Sequence, residues 1–190
     1  PDGVVMHLWN ADGSRAEMSG NGIRCLAQAL VDAGWAAEGP LTIGTDAGAR
    51  HVHVWPESAP GLRTVRVDMG PARPLDGGLV SMGNPHEVVF VTGLAGIADP
   101  GRPDRNVEFV VVGPEPDAIT MRVFERGVGE TPACGTGACA AAFIAHRRGL
   151  VGTVVTVHQP GGDVIVELKP ETILLTGPTR RIATIEVDAL

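Results

Sequence analysis

Two glycine-rich segments repeat one local pattern, and this repeat constrains the fold more than any other feature of the chain. The second copy, residues 133–139, reads ACGTGAC, and the first copy, residues 18–25, reads MSGNGIRC. Ser19 stands in the first copy where Cys134 stands in the second, and each precedes a Gly-x-Gly triplet and an apolar run. The repeat predicts two similar half-sites that face one substrate, with the thiol missing from the first.

The glycines of each copy suit the beginning of a helix that binds an anion. They let the backbone turn tightly and bring its N–H groups close to a ligand. The unpaired N–H groups and the helix dipole then favour negative charge. A cysteine at this place gains from the same field, so we expect the pKa of Cys134 to fall from about 8.5 toward neutrality and make it a usable base. Ser19 also fits the simpler role of an N-cap.

Apolar spacing after each Gly-x-Gly predicts a helix. In the first, apolar residues at positions 23, 26, 27 and 30 follow the i, i+3, i+4, i+7 pattern, and Gly34 ends it. The second helix runs from about residue 138 to residue 146, has arginines at positions 147 and 148, and ends at Gly149. Cys25 and Cys139 fall within these helices, and we interpret both as buried packing residues.

Short alternating or β-branched runs predict strands in the rest of the chain. They cover residues 4–9, 50–55, 64–69, 87–91, 107–112, 119–124, 154–158, 164–168, 173–176 and 182–187, with turns at 161–162 and 177–178. Residues 93–105 read as a loop. Many short strands and two helices predict an α+β fold of two pseudo-symmetric domains, residues 1–80 and 81–190, each a curled, mostly antiparallel sheet around a central helix.

Composition excludes several classes of function. With 190 residues, 44% of them hydrophobic, the chain can bury a core, while a net charge of −7 without a basic run argues against a nucleic-acid partner. No apolar run is long enough for a membrane span, and nothing at the start reads as a secretory signal. Three cysteines suit a reducing cytoplasm, and no histidine or cysteine spacing indicates a metal site. Because the chain begins without methionine, we expect residues to precede Pro1.

Six ordered motifs resemble those of the diaminopimelate epimerase family. They are residues 10–14 (NADGS), 20–25 (GNGIRC), 83–86 (GNPH), 106–109 (NVEF), 125–131 (ERGVGET) and 133–139 (ACGTGAC). The match covers nearly the whole chain, although the amino-terminal strands of the family, which carry further substrate contacts, are absent before Pro1. The resemblance implies two pseudo-symmetric α/β domains and a cofactor-independent conversion of LL- to meso-diaminopimelate in bacterial lysine and cell-wall precursor synthesis. It also implies a homodimer, since family members pair.

The resemblance implies a role for each matching residue. Cys134 is one catalytic acid/base group, and Ser19 stands where the family has the other, a cysteine. The remaining roles are backbone donors for the α-carboxylate at Gly20, Asn21, Gly135 and Thr136, substrate-binding side chains at Asn10, Asn84, Asn106, Glu125 and Arg126, and tuning of the thiol pKa values by His86 and Glu125.

The chemistry explains why two thiols are needed. Inverting an α-carbon without a cofactor requires one group to remove a weakly acidic proton from one face while another delivers a proton to the opposite face. A serine hydroxyl is too weak an acid to exist as alkoxide near neutral pH, and Ser19 has no local base beside it in the sequence. We therefore expect Ser19 to donate a proton but to accept one poorly, which would impair inversion.

Two other functions stay open at this point. One is a lyase, since hydroxyproline dehydratases of the same superfamily resemble proline racemases but carry a hydroxyl residue in place of one thiol, as this chain does. Against this, Asn21 stands where those relatives usually have histidine, and residues 125–131 match the diaminopimelate branch. A non-catalytic ligand-binding remnant is the other alternative, favoured by the missing amino-terminal strands and the unpaired sheet edges they would leave.

Overall fold

The computed structural model describes residues 3–9, 13, 15–16 and 18–185, with residue 16 described by its backbone alone. Within these ranges there are two α-helices, α1 (Gly20–Asp32) and α2 (Gly135–Arg147), and a 3-10 turn at Asp76–Gly78. The strands are β1 (Leu8–Trp9), β2 (Arg15–Ala16), β3 (Gly39–Thr45), β4 (Gly48–Val54), β5 (Leu62–Asp68), β6 (Arg73–Pro74), β7 (Val80–Ser81), β8 (Pro85–Phe90), β9 (Asn106–Val112), β10 (Ala118–Glu125), β11 (Gly129–Thr131), β12 (Val154–His158), β13 (Val164–Leu168) and β14 (Ile173–Arg180).

Most of the strands hydrogen-bond in one continuous path, in the order β3-β4-β5-β14-β13-β12-β10-β9-β8-β7-β6, with β11 on β10. The β10–β12 and β8–β9 pairs are parallel and the others on this path are antiparallel. Strands β1 and β2 form a separate hairpin. The sheet curls around the helices, with α1 packed on β4, β5 and β14 and α2 packed mainly on β8 to β13. The predicted α+β class is confirmed.

Strand β14 connects strands from the two halves of the chain, because it pairs with β5 on one side and β13 on the other. Strand β14 pairs with β5 over seven residues, from Leu174 opposite Asp68 to Arg180 opposite Leu62. Residues 173–180 therefore lie in the same sheet as the strands around α1, and they also contact that helix. A division of the chain into two domains at residue 80 stays a prediction.

The two helices are buried for different reasons. Helix α1 is amphipathic, with Ile23, Ala27 and Leu30 in the core, and it ends before Gly34, whose φ of +71° suits glycine. Helix α2 is surrounded, and its alanines at positions 138, 140, 141, 142 and 145 are inaccessible to solvent. Alanine has the highest helix propensity and a small side chain, so strands approach α2 closely on several sides.

An ion-pair cluster holds the far end of α1 on the sheet. The Arg63 side chain, 9% exposed, donates from Nε to Asp32 Oδ1 at 3.1 Å and from Nη1 to Glu38 Oε1 at 2.6 Å. Breaking a buried pair leaves an uncompensated charge, which is strongly destabilising. Because Asp32 is the last residue of α1, these contacts fix the direction in which the opposite end of the helix points.

Several local predictions were wrong. Residues 182–185 follow β14 and form no strand, because no described strand pairs with them. Ile182 and Ile185 are therefore exposed. Residues 186–187 lie outside the described ranges. The turn predicted at 177–178 lies inside β14, where Gly177 packs against Val164. Of the strand predicted at 4–9, only Leu8–Trp9 forms one, beside an isolated bridge from Val5 to Gly44.

Cys25 is exposed rather than buried, which corrects its interpretation as a packing residue. At about 100° per residue, position 25 lies about 200° around the helix from Ile23, on the solvent face. Cys139 is inaccessible to solvent, as predicted. Among the described residues, no helix has the length and apolar character that crossing a bilayer requires.

Candidate active site

The two repeated segments begin their helices in the same way. Ser19 is the N-cap of α1, with φ −136° and ψ 116°, and Cys134 is the N-cap of α2, with φ −131° and ψ 116°. Ser19 Oγ accepts from the N–H of Gly22 at 3.0 Å, and Cys134 Sγ accepts from the N–H of Gly137 at 3.4 Å. The repeat predicted from the sequence is therefore a repeat of geometry, and the predicted N-cap role of Ser19 is confirmed.

The glycines after the caps bring the helix N-termini into direct contact. A Cβ added to Gly20 would lie 3.3 Å from the Gly135 Cα, and a Cβ added to Gly135 would lie 3.1 Å from the Gly20 Cα. Each added carbon would also come within 3.0 Å of Leu175 Cδ2. Close approach, rather than an unusual backbone conformation, is what requires glycine at these two positions.

A cavity of about 260 Å³ opens where the helix N-termini meet. It brings together the predicted site residues Ser19, Gly20, Asn21, Asn84, Asn106, Glu125, Arg126, Cys134, Gly135 and Thr136. The sequence analysis assigned no individual role to the other lining residues, Leu8, Met18, Gly83, Val128 and Ala133. Asn10, predicted to bind substrate, lies outside the described residues. His86 is fully buried and reaches the cavity through Asn84.

Both helix dipoles point their positive ends at this cavity. N–H groups in the first turn of a helix have no partner within the helix, so two such turns side by side favour an anion between them. Asn21 links the two segments, since its Nδ2 donates to the carbonyl of Ala133 at 3.4 Å. The arrangement suits a ligand carboxylate between the helices, with Ser19 and Cys134 at its two sides.

Two asparagines that line the cavity have their amide oxygens engaged by the protein. Asn106 Oδ1 accepts from the backbone N–H of Arg126 at 2.9 Å, and Asn84 Oδ1 lies 3.0 Å from His86 Nε2. An amide whose oxygen is engaged offers its NH₂ as a donor. Arg126 is exposed at the cavity and makes no ion pair among the described residues. These three side chains form a group of donors.

Cys134 is a thiol at rest, which corrects the expectation that its pKa falls. Burial raises the pKa of Cys134 well above its usual value, and the nearby carboxylates of Glu125 and Glu108 raise it further. The Thr136 hydroxyl, 3.4 Å from the sulfur, and the Gly137 N–H act in the opposite direction but do not outweigh them. The prediction considered the helix dipole but not the desolvation of the sulfur, which is the largest of the effects that raise this pKa.

Glu108 and Gln159 are site residues that the sequence reading missed. Glu108 Oε1 lies 2.6 Å from His86 Nδ1, and both side chains are fully buried. Gln159 Oε1 accepts from the N–H of Cys134 at 2.8 Å. Glu108 had one usable signal, since it is two residues from Asn106 in a strand and so shares its face. Gln159, 25 residues beyond Cys134, had none.

Glu125 lines the cavity, and Arg24 contacts the backbone of Gly20, which also lines it. Arg24 is buried and donates from Nη1 to the carbonyl of Gly20 at 3.2 Å, and burial lowers the pKa of its guanidinium. Glu125 accepts a short hydrogen bond from the Thr131 hydroxyl, which orients its carboxylate at the cavity wall. Within the described ranges, no group of three histidine, cysteine or acidic side chains could hold a metal ion.

Comparison with known proteins identifies the family. The diaminopimelate epimerase family model matches residues 1–75 and 78–182. The chain belongs to the diaminopimelate epimerase family. A diaminopimelate epimerase of Bacteroides thetaiotaomicron is 40% identical over 207 residues, covering 96% of this chain and 77% of the relative. One of Pelotomaculum thermopropionicum is 38% identical over 216 residues, covering 94% and 76%.

A solved structure agrees in fold. A predicted epimerase from Pseudomonas aeruginosa superposes with a TM-score of 0.75 at 15% identity, covering 95% of this chain and 79% of that one. At that identity the likeness shows the fold alone. Membership of the diaminopimelate epimerase family makes the chain an isomerase, an epimerase.

We predict that Gly135→Ala destabilises the protein. Its methyl would meet the Gly20 Cα and Leu175, and overpacking of this kind costs about 1–3 kcal/mol. Urea unfolding followed by circular dichroism measures the change. Gly93→Ala is the matched control, because nothing lies within 4 Å of its added carbon, and it should change the free energy of unfolding by less than about 0.5 kcal/mol. Equal effects of the two substitutions would contradict the close contact.

We also predict the order in which iodoacetamide modifies the three cysteines at pH 7. Exposed Cys25 should react first and Cys134 more slowly, because only thiolates react and the pKa of Cys134 is raised. Cys139, whose pKa burial raises to about 12, should stay unmodified in the folded protein. Raising the pH should increase the Cys134 rate as its thiolate fraction grows. Peptide mass spectrometry gives the order, and fastest labelling of Cys134 at pH 7 would refute it.

Proposed function

We propose that the chain acts on diaminopimelate by proton transfer at an α-carbon, with Cys134 serving one face and Ser19 standing at the other. The observation that carries this proposal is the meeting of two helix N-termini, capped by Ser19 and Cys134, at one cavity. The family names of the relatives supply the substrate class, diaminopimelate.

The reacting α-carboxylate would lie between the two helix N-termini. Backbone N–H groups of Gly20, Asn21, Gly135 and Thr136 are the donors we assign to it. When the α-proton leaves, negative charge spreads into this carboxylate, and donors already aimed at it stabilise the carbanion without reorganisation. The Gly20–Gly135 contact supports this assignment, because it sets the two groups of donors side by side.

Cys134 would transfer the proton on its own face in either direction. As a thiol it delivers a proton to the carbanion and forms one epimer, and as a thiolate it removes the α-proton from that same epimer. Because the pKa of Cys134 is raised, the thiolate form is scarce near neutral pH, which limits proton removal by Cys134 there. Proton removal by Cys134 should accelerate as the pH rises. We assign the tuning of this thiol to Glu125, whose carboxylate opposes the thiolate.

Ser19 would leave the other face without a base. Its hydroxyl accepts a hydrogen bond from the Gly22 N–H, as Cys134 Sγ does from the Gly137 N–H, but a hydroxyl ionises far less readily than a thiol. The chain would therefore exchange the α-proton of one epimer with solvent while inverting slowly. A lyase of the same superfamily would also need one thiol, and loss of a β-substituent instead of exchange would identify it.

The donor group of Asn84, Asn106 and Arg126 would bind the distal end of the substrate. An arginine fork and amide NH₂ groups match a carboxylate, and a cyclic amino acid such as proline has no second carboxylate to offer. This group favours the diaminopimelate branch over the proline branch. Asn10 lies outside the described residues, so its assigned role stays a prediction. The pairing of two chains also stays a prediction.

We predict that Ser19→Cys raises the rate of epimerisation by about 10²–10⁴-fold, the usual contribution of a general acid/base group. Incubation with LL-diaminopimelate in heavy water, followed by chiral chromatography and mass spectrometry, reports inversion and deuterium incorporation separately. The unsubstituted chain should incorporate deuterium into one epimer with little inversion, and more rapidly at higher pH.

Ser19→Ala is the matched control for this prediction. It removes the hydroxyl and should leave one-sided exchange in place, whereas Cys134→Ala should abolish exchange altogether. If the unsubstituted chain inverts diaminopimelate as fast as Ser19→Cys, the serine hydroxyl is a competent acid/base group and the proposed impairment is wrong.

We predict that diaminopimelate binds more tightly than proline or hydroxyproline. Titration calorimetry with each amino acid measures the dissociation constants. Arg126→Gln should weaken diaminopimelate binding by at least about tenfold, since a hydrogen bond between charged groups contributes about 1.5–3 kcal/mol. Arg180→Gln, an exposed arginine that does not line the cavity, is the control and should bind as the unsubstituted chain does. Tighter binding of proline would move the chain to the other branch.

A further inference from the structure

A buried pair of titratable side chains lies behind the cavity. His86 on β8 and Glu108 on β9 are both inaccessible to solvent, and His86 Nδ1 lies 2.6 Å from Glu108 Oε1. Strands β8 and β9 are parallel neighbours, and both pack under α2. Neither residue lines the cavity. A pair so completely buried is costly unless its members neutralise each other.

The hydrogen bonds of His86 define where its protons lie. Nε2 faces Asn84 Oδ1 at 3.0 Å, and an amide oxygen only accepts, so Nε2 carries a proton. Nδ1 faces a carboxylate oxygen, which requires a second proton in that bond. Two arrangements balance the charge: an imidazolium that donates to the Glu108 carboxylate, and a neutral imidazole that accepts from protonated Glu108. In both, Nε2 donates to Asn84.

Glu108 also contacts the start of α2. A Cβ added to Gly137 would lie 2.6 Å from Glu108 Oε1, so glycine at this position admits the carboxylate. Glu108 Oε2 is buried and has no hydrogen-bond partner among the described residues. If Glu108 is ionised, a carboxylate with one oxygen engaged and the other desolvated needs a nearby positive charge, and an imidazolium at His86 would supply it.

We propose that Glu108 is a positioning residue that holds His86 as an imidazolium and, through it, fixes the Asn84 amide with its NH₂ toward the cavity. The proposal rests on the proposed function in one respect, that the ligand at Asn84 is diaminopimelate. Without the carboxylate, His86 would lose its second proton. Its Nε2 could then accept from Asn84 instead, which would turn the amide oxygen toward a ligand that needs a donor.

The unsubstituted protein gives the first test. With ¹⁵N-labelled histidine, long-range ¹H–¹⁵N correlation spectra at pH 7 distinguish protonated from unprotonated ring nitrogens. We expect both nitrogens of His86 to be protonated. An unprotonated nitrogen in the ring of His86 would overturn the proposal, and this measurement does not depend on the identity of the substrate.

The second test compares Glu108→Gln with the control Glu87→Gln. Glu87 lies next to His86 on the same strand, but its carboxylate is part-exposed and near Arg105. Glu108→Gln should remove one ring proton from His86 and raise the dissociation constant of diaminopimelate about tenfold, as for the loss of one oriented hydrogen bond. Glu87→Gln should change neither. A folded Glu108→Gln protein with His86 still doubly protonated, or with unchanged affinity, would overturn the proposal.

A further variant covers the case in which Glu108→Gln fails to fold. Asn84→Ala, at the cavity wall, should weaken diaminopimelate binding by a similar factor while His86 stays doubly protonated. Unchanged binding of diaminopimelate to Asn84→Ala would overturn the proposal. If the unsubstituted protein does not bind diaminopimelate at all, the proposed function fails. The role of Glu108 is then decided by the number of ring protons on His86 before and after Glu108→Gln.

Discussion

The contact between Gly20 and Gly135 is the constraint on which the rest of the site depends. Two helix N-termini carry partial positive charge and repel each other, so their direct contact costs free energy in an empty site. The sheet opposes this repulsion, because β14 pairs with β5 and supplies Leu175, which packs against both glycines. An anion between the helices would remove the repulsion, which is why the geometry favours a carboxylate ligand.

The carboxylates of Glu125 and Glu108 place negative charge near Cys134, at the positive end of α2. Burial and the carboxylates of Glu125 and Glu108 hold the sulfur in its protonated form, although it caps a helix. A cysteine at a helix start is therefore not automatically a thiolate, since desolvation and neighbouring acids act against the dipole. The helix N-termini are then left to stabilise a substrate carboxylate rather than the sulfur, which is the division of roles an α-proton transfer needs.

Particular elements show which signals in the sequence were reliable. Both helices were predicted because apolar spacing and terminal glycines agree, and the strands at 154–158 and 164–168 match the structure in their bounds. Strand β3, residues Gly39–Thr45, was missed because a glycine and a proline begin it and Gly44 interrupts its apolar pattern. Residues 182–185 have the composition of a strand but lack a partner. Strand pairing depends on neighbours that are distant in sequence, and composition does not specify them.

The sequence by itself determined the duplicated helix starts, the one remaining thiol and the side chains that meet at the cavity, because each depends on local spacing or on a motif. Only the tertiary structure decided the protonation of Cys134, the exposure of Cys25 and the partnership of Glu108 with His86. These properties depend on burial and on charges brought together from separate strands. Electrostatic free energies depend on distance and solvent access, and both are set when the sheet curls around the helices.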